Sequence, residues 1–214
     1  MNTPWLLILI PIIEISATIP YILDIIKGKT HPEIATWVSW FFVAALASIV
    51  SWSNHLYPSA VFATALMIEC GIILFLAKNK NSYSHTKYDV LCLLGVLLGT
   101  LVWLLTDNAL FAIIAIVLAD FIAAFPTYIH SWKSPDEETA LTFAITIFVN
   151  ILMIIAITEN SFLELAQPIY LFCVNTSIVF IILYRKSIVH LEKDIVREVK
   201  VVEKEVEREI EKVI

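Results

Sequence analysis

Seven stretches of about 20 mostly apolar residues, each long enough to cross a hydrocarbon layer about 30 Å thick, occupy most of this 214-residue chain. They lie near 4–26, 34–53, 58–77, 89–106, 109–131, 138–157 and 164–185. Polar punctuation separates them: Lys27 to Pro32, Ser53 to His55, Lys78 to Asp89, Thr106 to Asn108, Lys133 to Glu138, and Thr158 to Asn160. Lipid offers backbone groups no water to bond, so each run is expected to fold as a helix that satisfies its own N–H and C=O groups. Composition points the same way. Charged residues make up 16% of the chain, against about 25% in a soluble domain. The first run has neither a basic start nor a small-residue cleavage site, so it reads as a retained helix rather than a signal peptide. Cys70, Cys92 and Cys173 all fall inside apolar runs and read as small buried hydrophobes; their spacing suits neither a disulfide framework nor a zinc site.

Threading seven helices through a bilayer puts the loops after helices one, three and five, and the tail, on one side. That side holds all 14 Lys and Arg: Lys27, Lys29, Lys78, Lys80, Lys87, Lys133, Arg185, Lys186 and six in the tail. The other side holds none of them and carries Asp107, Glu159 and Glu164. Basic residues stay cytoplasmic. The expected topology is therefore amino terminus outside and carboxyl terminus inside, in a plasma membrane of prokaryotic type. One helix more or fewer would scatter the lysines over both faces.

Helix one contains Glu14-Ile-Ser-Ala-Thr-Ile-Pro20 and helix five Asp120-Phe-Ile-Ala-Ala-Phe-Pro126. One offset of 106 aligns Glu14 with Asp120, Ala17 with Ala123, Pro20 with Pro126 and Lys27 with Lys133. Helices three and seven are both expected to open on a proline, Pro58 and Pro168. Apolar matches arise easily by chance; an acid and a proline in register inside two lipid-embedded helices do not. Three helices reverse the chain's direction, so a second copy keeps its orientation only if one helix intervenes. The expected fold is all-α: two parallel three-helix repeats, 1–80 and 108–186, joined by helix four within 81–107, with an amphipathic helix over 187–214.

That three-plus-one-plus-three plan, with a proline low in the first helix of each repeat and the basic stretch Lys27-Gly-Lys-Thr30 after it, resembles the SWEET and PQ-loop family of transporters. The resemblance covers residues 1–186. The family's Pro-Gln pair reads Pro20-Tyr21 and Pro126-Thr127 here, so sugar is not carried over as the substrate. What the resemblance implies is alternating access, with a substrate pocket between the halves. It also draws attention to Asn175, since the family places a polar residue on the last helix of each repeat.

Glu14, Asp120 and Glu69 each lie about 15–16 Å from the outer end of their helix, near mid-membrane. A charged carboxylate there costs about 2.5–3.5 kcal/mol even on the lenient insertion scale. No basic partner is at hand: every Lys and Arg is on the cytoplasmic side, and His31, His55, His85, His130 and His190 fall in loops or the tail. The acids must then be neutral and hydrogen-bonded, or must hold a cation. Both solutions suit proton coupling or recognition of a cationic solute; a neutral acid serving only as interhelical glue is the structural alternative. Asn150 and Asn175 are further mid-depth polar residues, either glue or substrate contacts. Trp37 and Trp40 share one face of helix two and read first as interfacial anchors, second as pocket aromatics. Trp5, Trp52, Trp103 and Trp132 read as belt residues. Pro20 and Pro126 each remove a helix donor about 9 Å to the cytoplasmic side of the acids, as a hinge or a static kink would. Gly95 and Gly99 form a small-residue packing pattern on helix four, and Asp136, Glu137 and Glu138 are expected to cap helix six.

In the tail, 14 of 28 residues are charged, and its apolar positions Ile188, Leu191, Ile195, Val199, Val202, Val206, Ile210 and Val213 recur at helical spacing. That period matches an eleven-residue repeat, which favours a straight or slightly right-handed bundle, so self-association is the favoured role. Its acid-rich polar face suits anionic lipid poorly. The regular Glu-Val-Glu-Arg-Glu-Ile-Glu-Lys ending is unlike the rest of the chain, which leaves an appended segment as an alternative. Two functions are carried forward: a small-solute transporter, proton-linked or cation-recognising, and a membrane receptor or scaffold assembled through the tail. An enzyme is not expected, because no metal set or catalytic arrangement can be placed in the helices. No cofactor, metal or nucleic acid is implied; the expected partners are a small solute, the bilayer and a second copy of the chain.

Overall fold

The computed structural model describes residues 5–77, 87–106, 108–157 and 162–213. Among the described residues the chain forms seven α-helices and no strand. The helices are α1 (Leu6–Ile26), α2 (Ile34–Ser53), α3 (Tyr57–Ala77), α4 (Lys87–Thr106), α5 (Ala109–Lys133), α6 (Ala140–Ala156) and α7 (Phe162–Val213). Five helices, falling within α1, α2, α3, α5 and α7, are long and apolar enough to cross a membrane. The 17-residue α6 is a shorter apolar helix, and α4 is not among the five. The sixth run starts later than expected because the chain first turns through a 3-10 segment, Pro135–Glu137.

Burial inverts the pattern of a soluble domain. On α1 the inward face repeats every three or four residues, as one face of a helix must: Leu6, Ile10, Glu14, Ala17, Thr18, Tyr21 and Ile25. Its outward face carries Ile8, Ile12 and Ile19, all exposed. On α5 the inward face is built of small residues, including Ala112, Ala119, Ala123 and Ala124, with Asp120 among them. Phe75, Leu105 and Phe180 are 66–80% exposed, while Glu14, Thr36, Ser131 and Asn150 are at most 1% exposed. Polar groups inside and large hydrophobic residues outside are compatible with an integral membrane protein, whose surroundings are apolar.

The helices pack in a repeating pattern. α1 and α2 each pack against α3, and α5 and α6 each pack against α7. Across these two triplets α1 meets α6, and α2 meets α5; α4 lies on α5 and α2. The offset of 106 that aligns the acids also separates the first residues of α2 and α6, Ile34 and Ala140. Pro58 is the second residue of α3, as expected, but Pro168 lies well inside α7, which begins at Phe162.

Local chemistry sets the helix ends. After α1, Gly28 takes φ +69°, with its N–H on the Ile25 carbonyl at 3.1 Å and the Lys29 N–H on the Asp24 carbonyl at 2.9 Å. This is the glycine-stopped helix end that satisfies two orphan carbonyls at once. α7 continues without a break from the bundle through the acid-rich tail to Val213. Leu191, Ile195, Val199 and Val202 are all more than half exposed on that extension.

Gly95 is where α4 approaches α5: a Cβ there would lie 3.3 Å from Ala119 Cβ. The surroundings of Gly99 and Trp103 lie outside the described residues. Overpacking a close contact costs about 1–3 kcal/mol. Gly95→Leu is therefore expected to lower the thermal unfolding midpoint in detergent by several degrees, whereas an unchanged midpoint would mean that α4 is not held at this point.

Candidate functional site

Six helices, α1, α2, α3, α5, α6 and α7, line a cavity of about 60 Å³ in the bundle. Glu14, Glu69 and Asp120 all line it, and among the described residues no lysine, arginine or histidine does. Each acid stands in the middle of its helix because it occupies a position of the inward-facing stripe, where lipid contact is avoided.

Their immediate partners differ. Glu14 is fully buried and accepts a 3.3 Å hydrogen bond on Oε1 from Thr146 Oγ1 of α6. Its Oε2 meets no hydroxyl, amide or basic group among the described residues. Glu69, on α3, lies beside it, close enough for the two carboxyl groups to interact. Asp120 accepts a 2.8 Å bond on Oδ2 from the Tyr170 hydroxyl of α7. Glu14 and Asp120 thus face one cavity, and each is held by its own hydroxyl.

Asn175 lines the cavity as well, although its amide nitrogen donates to the Leu171 carbonyl of its own helix at 2.8 Å. Asn150 does not line it. Its amide nitrogen donates to the Thr146 carbonyl at 2.8 Å, and its Oδ1 is buried without a partner.

The first reading of Trp37 and Trp40 as interfacial anchors is corrected. Trp37 is 4% exposed, and both rings line the cavity. Trp5, Trp52 and Trp132, by contrast, are about half exposed, as belt residues should be. Trp37 packs edge-on against Trp40 at 5.3 Å and tilted against Tyr21 at 5.1 Å, and Phe143 lies 6.4 Å from Tyr21 and 6.5 Å from Trp40. These four rings form one layer next to the acids. Tyr21 directly follows Pro20, and Thr127 directly follows Pro126; both are buried. Pro20 and Pro126 lie inside continuous helices, where each leaves a carbonyl one turn earlier without its usual donor.

Beyond the ring layer lies a polar network built from the two connections at that end of the bundle. The Tyr21 hydroxyl donates to Glu138 at 3.1 Å. Thr30 and Thr139 share a 2.7 Å hydrogen bond, and Thr139 also donates to Asp24 at 3.1 Å. His130 Nδ1 lies 3.3 Å from Glu33, and His31 Nδ1 lies 3.4 Å from Glu137. Lys186 donates to the Glu138 carbonyl at 3.3 Å. The expected capping of helix six is not found. Thr139 precedes α6 without a side-chain cap. Glu138 turns inward to Tyr21, and Asp136 turns outward to Lys193 at 3.4 Å and His190 at 3.7 Å. His130, expected in a loop, stands in the last turn of α5. Asp107, Glu159 and His85 lie outside the described residues.

The sequence reading missed Thr142, Thr146, Tyr170 and Tyr21. Thr142 and Thr146 carried a usable signal, since two hydroxyls four residues apart in an apolar helix share one face. Tyr170 carried none that separates it from an interfacial tyrosine. Among the described residues no group of acids, histidines and cysteines is arranged to hold a metal. No protein-family model, curated protein or solved structure matches the chain.

Glu138 gives the network a pH signature. Burial pushes its carboxyl from 4.5 up to about 7; His130, Tyr21 and Lys186 oppose that shift, and Glu33 adds to it. A raised acid is protonated in the folded state while already ionised in the unfolded one. Its contribution is therefore whole below about 4.5 and is lost as pH rises through about 7. The midpoint of wild type relative to Glu138→Gln is expected to fall across that window. A difference that does not vary with pH would exclude Glu138 as the titrating group.

Proposed function

We propose that this protein is a carrier rather than an enzyme, moving a small solute across a membrane by alternating access. The observation that carries the reading is the set of three buried carboxyls, without one basic side chain, around a cavity lined by both helix triplets. An unpaired charge at such depth is costly. A site that keeps three acids there fits a role in which protons or cations come and go.

In this reading all seven helices span the bilayer, α4 and the short α6 included. The triplets α1–α3 and α5–α7 are parallel repeats joined by α4. Supporting the duplication are the matching packing pairs, the common offset of the acids, the prolines and the starts of α2 and α6. The lysine-rich side is cytoplasmic by the distribution of charge. The plan is that of the SWEET and PQ-loop transporters, and membership of that family is part of the proposal.

The ring layer of Tyr21, Trp37, Trp40 and Phe143, with the network around Glu138, then forms a closed inner gate. Pro20 and Pro126 sit between the acids and that gate, where a change of helix angle would part it. Rocking of one repeat against the other about a central site is the general route of such carriers. Proton linkage or cation recognition follows from the acids.

A non-transporting scaffold is the second reading, favoured by the α7 extension with its exposed stripe of Leu191, Ile195, Val199 and Val202. Transport in proteoliposomes separates the two. Glu14→Gln and Asp120→Asn are expected each to lower solute flux at least tenfold while the variants elute from size exclusion like wild type. Flux unchanged in both would remove the acids from the mechanism, and no flux of any solute in wild type would favour the scaffold.

A further inference from the structure

The polar atoms around the cavity divide into those that are bonded and those left over. Thr146 serves Glu14, and Tyr170 serves Asp120. Left over are a donor, the Trp40 indole N–H; a hydroxyl that can act either way, Thr142 Oγ1; and an acceptor, Glu14 Oε2, on the carboxyl that pairs with Glu69. All three residues line the cavity, and Thr142 is only 2% exposed. A buried polar group without a partner is destabilising by about 1–3 kcal/mol. These atoms therefore state what an occupant has to supply.

Toward the Glu14–Glu69 pair the matching group of an occupant is a donor. With Glu69 and Asp120 also in the wall and no basic side chain to offset them, that donor is a cationic nitrogen. The rings of Trp40 and Phe143 suit the same charge, since an aromatic face attracts an ammonium. Toward Trp40 the occupant must present an acceptor, and the wall chemistry decides which kind. A carboxylate would meet three acids and no cation, so the acceptor is neutral. The volume of about 60 Å³ corresponds to about four to six waters, which suits an occupant of a few heavy atoms.

The geometry points to a binding site for a small primary amine carrying a hydroxyl a few bonds from its nitrogen, an amino alcohol of about the size of ethanolamine. Its ammonium lies on Glu14 and Glu69, and its hydroxyl oxygen accepts from Trp40, with Thr142 bonding to whichever end reaches it. Zwitterionic amino acids are rejected through their carboxylate, and sugars through their lack of charge. The inference rests on reading this cavity as the solute site and names what that site selects.

The test is isothermal titration of the full chain in detergent with ethanolamine, n-propylamine, glycine and glucose. n-Propylamine exchanges the hydroxyl for a methyl group, and glycine exchanges the hydroxymethyl group for a carboxylate. Ethanolamine is expected to bind, n-propylamine about tenfold more weakly through the loss of one buried hydrogen bond, and glycine and glucose not at all. Trp40→Phe should reduce ethanolamine to the affinity of n-propylamine and leave n-propylamine unchanged, whereas a purely structural role for Trp40 would weaken both. Thr142→Val should narrow the same gap. The proposal is overturned if glycine binds as tightly as ethanolamine, if n-propylamine does so in wild type, or if neither amine binds. Flux into liposomes keeps the two levels apart. Transport of another solute without ethanolamine binding rejects this ligand and retains the carrier; ethanolamine binding without flux of any solute rejects the carrier and retains the site.

Discussion

Everything in this bundle is arranged around the difficulty of keeping carboxyl groups out of water. Glu14, Glu69 and Asp120 are each at most 8% exposed, and among the described residues none has a basic side chain beside it in the cavity wall. A polar group in an apolar medium is stable only if the protein supplies what water would have supplied. The neighbouring helices supply hydroxyls, Thr146 from α6 and Tyr170 from α7. Those two contacts tie the acids to α6 and α7, so the position of the charges and the packing of the helices are one problem.

The remaining polarity is sorted by the same rule. Large aliphatic and aromatic residues face outward, and hydroxyls and acids face inward. At one end the polar residues of two connections fold over the ring layer and bond to one another: Thr30 to Thr139, Tyr21 to Glu138, His130 to Glu33. A carrier needs one end that closes firmly and another that opens, and a layer of aromatic rings backed by short polar contacts has the makings of such a closure. Glu33 and Glu137 are partly exposed, so these ion pairs contribute little to stability and can part without great loss.

How far the sequence could be read depended on the kind of signal each residue gives. The helices were legible because apolar runs of spanning length are hard to mistake, and Glu14, Glu69 and Asp120 were legible because an acid in such a run stands out. The inward faces were harder to find. A helix surrounded by lipid is apolar all round, so the 3.6-residue contrast that marks a buried face in a soluble protein is weak. Polar side chains are then the main inward markers, but facing inward is not the same as reaching the cavity: Asn150 is fully buried and does not line it. Trp37 and Trp40 misled because tryptophan is at home both at a membrane interface and in a core. By its position Glu138 suggests a capping residue, whereas the 3-10 turn before α6 rotates it inward onto Tyr21.

The central claim is that the acid-lined cavity opens alternately to the two sides of a membrane. Ala44 lines the cavity at 5% exposure, so Ala44→Cys, in a chain whose Cys70, Cys92 and Cys173 are replaced by serine, reports on it directly. The measurement is labelling of that thiol in oriented proteoliposomes by a membrane-impermeant maleimide applied to one face at a time. The account predicts labelling from each face, with the balance between the faces shifting when a transported solute is added. Protection from both faces under every condition would contradict it and leave the cavity a static feature of a membrane scaffold.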